Sequence, residues 1–118
     1  MSVSVKTIFC DIDGVIFKHF SCIEEVVKSP EVLPGVIDTF REWHAKGYTI
    51  VLITGRPPSL RQTTEKQLED SGISYHSLIM GLPRGQRVVI NDLKADSKIE
   101  TAGAVNVLRD KGLVNVDV

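Results

Sequence analysis

The chain is poor in the features that would set it apart from ordinary globular proteins. Two cysteines, Cys10 and Cys22, are too few for a disulfide framework. No apolar run approaches the length that crosses a bilayer. Met1-Ser2-Val3-Ser4 offers no basic region followed by a long apolar core, so no signal peptide is expected and a cytoplasmic location follows. Charge of neither sign dominates. A formal net charge of −1 argues against a nucleic-acid groove built on bulk charge. Internal repeats, linkers and low-complexity segments are also missing, and 118 residues suit one domain spanning the whole of 1–118. The apolar share of 42 % is enough for a packed core. Lysine is missing locally as well, with none between Gln67 and Lys94.

What is present is organised around Ile8-Phe9-Cys10-Asp11-Ile12-Asp13-Gly14-Val15. An apolar run over 5–10 ends abruptly in two carboxylates one residue apart, which reads as a buried strand followed by a turn. Alternation sends Asp11 and Asp13 the same way and Ile12 back into the core. Gly14 lets the backbone bend. Paired acids at the carboxyl end of a strand lie where open α/β sheets bind their ligands. A plain solvated turn fits the tetrapeptide equally well. A calcium loop does not, because its third ligand and its final Glu would fall on Val15 and Cys22.

The remaining chain alternates strand and helix. Residues 15–33 lack a clean period and read as a short flap. Pro34 opens a helix whose apolar stripe is Val36, Ile37, Phe40, Trp43 and His44, and Gly47 closes it. A second strand over 48–53, apolar on both faces, ends in Thr54-Gly55-Arg56. A hydroxyl and a backbone N–H there suit phosphate oxygens, and equally a simple strand-to-helix turn. Ser59-Leu60-Arg61-Gln62 has capping-box form and predicts a helix to Asp70, capped by Gly72. A third strand follows over 75–80 and a fourth over 87–90, ending in Asn91-Asp92. Ser97-Lys98-Ile99-Glu100 opens a short helix, and 104–108 makes a fifth strand. The tail over 109–118 has no evident assignment. The pattern predicts an α/β fold with a parallel sheet and right-handed crossovers.

In such a sheet the strand ends share one edge. Asp11, Asp13, Thr54, Asp92 and Asp96 would gather there, and their carboxylates would repel unless a hard cation such as Mg²⁺ neutralised them. The three motifs in order resemble the haloacid-dehalogenase-like (HAD) superfamily of aspartyl-phosphate phosphohydrolases. They are Asp11-Ile12-Asp13-Gly14-Val15, Thr54 in Ile53-Thr54-Gly55-Arg56, and Asn91-Asp92-Leu93-Lys94-Ala95-Asp96. The resemblance spans residues 5–108. It implies a three-layer Rossmann-like fold with a central five-stranded parallel sheet, order 5-4-1-2-3 and the first strand in the middle. It implies that Asp11 is the nucleophile and Asp13 the general acid and base, with the Asp13 carbonyl touching the metal. Thr54 and Gly55 would hold phosphate oxygens, and Asp92 and Asp96 would bind Mg²⁺ alongside Asp11.

The family's third-motif lysine is missing. Lys94 is the favoured substitute and Arg84 the second, while Arg87 is expected only to snorkel at the far end of its strand. Neither 15–33 nor 56–74 can house a cap domain, so the site is expected to be capless and open. The Gly81-Leu82-Pro83-Arg84-Gly85 loop and the Asn91-Asp92-Leu93-Lys94 stretch resemble small phosphatase-like proteins of bacterial sugar-phosphate and surface-polysaccharide pathways. The resulting expectation is a Mg²⁺-dependent phosphomonoesterase acting on a small phosphorylated substrate such as a sugar phosphate. Nucleic acid and membrane are not expected as partners, and self-association is left open. The alternatives are a phosphotransferase and a phosphate- or metal-binding module without turnover.

Overall fold

The computed structural model describes residues 5–95 and 100–118. Strand β1 covers Thr7–Asp11, β2 Thr49–Ile53 and β3 Ser77–Ile79, and they pair in parallel in the order β1-β2-β3. The register sets Thr7 against Thr49 and Asp11 against Ile53, and Val51 against Ser77. Helix α1 (Ile23–Val26) lies in the flap, α2 (Val36–Ala45) connects β1 to β2, and α3 (Arg61–Asp70) connects β2 to β3. Helix α2 begins at Val36 with Gly35 as its N-cap, so Pro34 precedes the helix instead of taking its first position. A short 3₁₀ turn, Pro58–Leu60, precedes α3, which has no side-chain cap; the capping box expected at Ser59 is not made. Gly47 and Gly72 adopt φ of +76° and +75° behind α2 and α3, as left-handed helix caps require.

Period-two alternation decides which side of the sheet is the core. Cys10, Ile50, Leu52 and Leu78 are buried against Val36, Phe40 and Trp43 of α2 and Leu68 of α3. The opposite face is open: Phe9 is 56 % and Ile79 42 % exposed. Cys10 is buried and its thiol is pushed up to about 12, first by burial and then by the Asp11 carboxylate, whereas Cys22 is exposed. No helix among the described residues is long and apolar enough to cross a membrane.

The architecture differs from expectation beyond β3. Among the described residues the sheet has three strands, and residues 87–90 and 104–108 carry no strand pairing. β1 is therefore an edge strand here instead of a central one, and the sheet is covered on one face instead of two. The relative order of the first three strands agrees with 5-4-1-2-3, and the rest of that order is not formed. Val88, Val89 and Ile90 are 70 %, 60 % and 94 % exposed. Local polar bonds fold this stretch onto the chain that follows it. Asn91 Nδ2 donates to the Thr101 carbonyl and hydroxyl at 3.0 and 2.9 Å, and the Thr101 hydroxyl donates to the Asp92 carbonyl. The helix expected from Ser97 begins outside the described residues.

The unassigned tail, in contrast, is part of the core. Leu113 is buried, its N–H donates to the Pro34 carbonyl at 2.9 Å, and its own carbonyl accepts from the Thr39 hydroxyl. Gly112 is what allows this approach: a Cβ there would lie 2.0 Å from the Pro34 carbonyl oxygen, at a φ of +77°. Gly112→Ala should therefore lower stability by more than about 2 kcal/mol. Gly47→Ala, with the same backbone sign and open space around it, should cost only the left-handed penalty of about 1–2 kcal/mol. Urea unfolding of both variants checks this, and equal losses would show that the tail is not docked.

Candidate functional site

β1 stops at Asp11 because the chain there coils around the Ile12 carbonyl. That oxygen accepts from the amides of Val15, Ile16 and Phe17 at 3.2, 2.8 and 3.1 Å. Gly14, at φ +89°, donates to the Phe17 carbonyl at 2.7 Å. Ile12 is fully buried and anchors the coil, with Asp11 and Asp13 on either side of it. Asp11 is exposed, and its Oδ1 accepts the Ile12 N–H at 2.8 Å. Its carboxyl is held above the ordinary range, chiefly by loss of water and secondarily by the Asp13 charge. The Ile12 N–H, Arg87 and His19 pull the other way and do not win.

Asp13 has a dedicated partner. Arg56, 3 % exposed, donates from Nε to Asp13 Oδ2 at 2.9 Å and from Nη2 to Oδ1 at 2.8 Å. Its Nη1 donates to the Thr64 hydroxyl at 3.0 Å and to Gln67 Oε1 at 2.8 Å. The guanidinium lies 5.9 and 5.8 Å from the ring centres of Phe17 and Phe20. Gln67 in turn donates from Nε2 to the carbonyls of Val26 and Lys28, the latter at 3.1 Å. One arginine thus ties the Asp13 turn, the end of β2, α3 and the flap together. Two-point pairing with a planar fork is what arginine does and lysine cannot.

Thr54 is 1 % exposed and its hydroxyl accepts from the Arg56 N–H at 3.1 Å. Its N–H donates to Ile79 and its carbonyl accepts from Leu82, so its polar groups serve the β2 exit. Gly55 beside it is exposed, and a Cβ there would meet the Leu82 carbonyl at 3.2 Å. Asp92, Lys94 and Arg84 are exposed residues of the chain after β3, and Asp96 lies outside the described residues. Among the described residues Arg87 is a cation that acts on the Asp11 carboxyl, and the His19 ring acts in the same direction. Arg87 does not open a strand; it is fixed in a loop by donating to the carbonyls of Pro83 and Gly85 at 2.9 and 3.1 Å. Among the described residues no three His, Cys, Asp or Glu side chains converge as a ready-made ligand set; the Asp11–Asp13 coil offers two carboxylates and a carbonyl, a donor set of the hard oxygen kind that suits Mg²⁺.

Arg56, Thr64 and Gln67 have no role among the residues that the sequence motifs single out for chemistry. The usable sign was there: α3 follows an arginine and carries polar residues at i and i+3 where its neighbours call for apolar ones. The burial of Thr64 and Gln67 follows from the guanidinium they satisfy.

Arg56→Met should strand Asp13 without its counter-charge and cost about 3–5 kcal/mol. Asp11→Asn should do the reverse. Because the folded state raises the Asp11 carboxyl, its ionised form costs stability at neutral pH, and that cost fades as pH falls through the raised value toward the unfolded one. In metal-free buffer the Asn variant should melt higher than wild type at pH 7 and converge with it in acid. Thermal unfolding across pH checks both, and a constant gap at all pH values would contradict the second.

Comparison with known proteins adds the family. Residues 8–110 match the LNS2 domain of PITM 1-3. Over 53 residues, 45 % of the chain, it is 40 % identical to the membrane-associated phosphatidylinositol transfer protein 3 of Mus musculus and of Homo sapiens. The match spans only 5 % of those proteins' length. Among solved structures, a chain of the Pnkp1/Rnl/Hen1 complex superposes with a TM-score of 0.58 at 24 % identity, covering 67 % of this chain and 29 % of that one. A crystallised structural-genomics target from Vibrio cholerae gives 0.54 at 20 % identity, covering 77 % and 82 %. At such identities these two speak for the fold alone. With the motif coil of Asp11 and Asp13 inside the matched region, the chain belongs to the LNS2 domain family, within the HAD-like superfamily.

Proposed function

We propose that the protein is a phosphomonoester hydrolase working through an aspartyl-phosphate on Asp11. The observation that carries this reading is the coil at the end of β1, which leaves Asp11 accessible with its carboxyl partly stripped of water and holds Asp13 beside it. Asp11 attacks phosphorus. Asp13 gives a proton to the leaving oxygen and then activates the water that releases phosphate. Each carboxylate oxygen bonded to Arg56 keeps a second lone pair that can accept the proton of the attacking water, and giving a proton to the leaving oxygen requires the pair with Arg56 to loosen. Thr54, Gly55, Lys94 and Arg84 are carried in this reading as phosphate contacts.

Mg²⁺ belongs to the same reading, with Asp11, the Asp13 carbonyl, Asp92 and Asp96 as its ligands. When bound, it would offset the charge on the transferring phosphoryl group. A fourth strand made by residues 87–90 on the open edge of β1 would bring Asp92 to Asp11 and carry Arg87 away. The exposed run Val88, Val89 and Ile90 supports such pairing, as does the unpaired edge. A fifth strand over 104–108 completes the five-stranded order.

A second reading is a phosphate-binding module without turnover. It is favoured by the Arg56 pair, which engages both oxygens of Asp13. The relatives' name brings phosphoinositide head groups into the test beside sugar phosphates.

A panel of both classes, assayed with and without Mg²⁺, decides between the readings. Wild type should release phosphate only with Mg²⁺, and Asp11→Asn should release none. Asp13→Asn should lose about 10²–10⁴-fold, least on nitrophenyl phosphate, whose leaving group needs no proton. Asp92→Asn should weaken Mg²⁺ affinity in calorimetric titration. Phosphate binding by a wild type inert across the whole panel would instead establish the module.

A further inference from the structure

The turn that follows residue 108 is built against the Asp11–Asp13 coil, and the mechanism above makes no use of it. The Asp110 N–H donates to the Gly14 carbonyl at 2.9 Å, and Asp110 Oδ1 accepts the His19 N–H at 2.7 Å. Asp110 adopts φ of +64°, a left-handed conformation that side-chain-bearing residues hold only when their surroundings impose it. The other end of the turn is pinned where Gly112 and Leu113 meet Pro34. Between these anchors sits Arg109. Its Cγ lies 3.4 Å and its Nε 4.0 Å from the point where a Cβ on Gly14 would stand. Those distances are ordinary van der Waals contact, so the arginine stem lies against the coil at Gly14. Arg109 is exposed, and it forms no ion pair among the described residues. Asp13, the carboxylate adjoining Gly14, is already taken by Arg56. A turn fixed at both ends thus holds, beside Gly14 of the coil, an arginine that forms no ion pair among the described residues.

We propose that Arg109 is a specificity-determining residue that binds a second anionic group of the substrate, beyond the phosphoryl group placed at Asp11. The preferred substrate class is then phosphomonoesters bearing another phosphate or a carboxylate. A planar guanidinium suits either through paired hydrogen bonds. This rests on the phosphate-site reading above and deepens it.

The test uses the full chain and two probes, fructose 6-phosphate and fructose 1,6-bisphosphate. Binding is measured by calorimetry in the Asp11→Asn protein, so that turnover plays no part, and kinetics are measured on the chain with Asp11 intact. The bisphosphate should bind about tenfold more tightly, well above the twofold statistical gain from presenting either phosphate. Arg109→Gln should erase that preference and leave fructose 6-phosphate affinity within about twofold. In kinetics the loss should fall on KM for the bisphosphate with kcat unchanged. Arg109→Lys should restore part of the preference, since charge remains and the fork is lost. The melting midpoint should not move, because the side chain is exposed. Equal affinity for the two probes in the parent, no binding of either, or equal weakening of both by Arg109→Gln overturns the proposal. Arg109-dependent preference without any turnover supports it while removing the hydrolase reading. Turnover without preference does the opposite.

Discussion

The ion pair between Arg56 and Asp13 is the interaction on which the site depends. A buried guanidinium is tolerable only when its donors are satisfied and its charge is met. Here Asp13 meets the charge, and Thr64 and Gln67 take the remaining fork. That demand explains why α3 turns polar residues inward. It also explains why the flap stays down, since the same Gln67 holds the carbonyls of Val26 and Lys28. Any motion that lifts the flap must loosen Gln67, and through it the arginine that orients Asp13. Flap position and carboxylate orientation are coupled through one side chain.

The second constraint is electrostatic and falls on Asp11. Loss of water and the neighbouring Asp13 both oppose its charge, and the Ile12 amide, Arg87 and His19 oppose them only in part. A carboxylate left under-neutralised is a site that gains from a cation or from an electrophile able to take up its negative charge. The chemistry proposed for the protein draws on that imbalance. Asp13, with its charge spoken for, is the better fixed of the two. The pair thus divides into a reactive member and an anchored one through their surroundings, not their identity.

Much of the first two-thirds of the fold was legible in the sequence, because each element there has its own local signature. The apolar run ending at Asp11, the stripe Val36-Phe40-Trp43 and the glycines at 47 and 72 each specify a strand, a helix face or a cap on short-range grounds. His44 was legible only in part: it shares the spacing of the stripe but is exposed, its Nε2 bonded to the Ser74 carbonyl at 2.9 Å. The runs over 87–90 and 104–108 have strand composition, yet a strand exists only where an edge accepts it, and among the described residues β1 is unpaired on that side. Asn91 and Thr101 instead close a loop through polar side-chain bonds, which composition does not announce. At the candidate site, the placement of Asp11 and Asp13 together at the carboxyl end of β1 was legible from spacing. Arg56 was not, because burial of a charge is decided by partners far along the chain. The docking of Leu113 and the turn at Asp110 are likewise long-range facts, set by Pro34 and Gly14.

Burial of Cys10 has a consequence for how the molecule can be watched. Its thiol, pushed up to about 12, is almost wholly protonated at neutral pH and shielded beneath α2, whereas Cys22 stands in solvent. Only the thiolate reacts with alkylating agents. Modification of Cys22 therefore proceeds from the native state, and modification of Cys10 waits for β1 to part from the helix that covers it. The chain carries its own clock for the opening of the strand that bears Asp11, read out as the rate at which the second label appears.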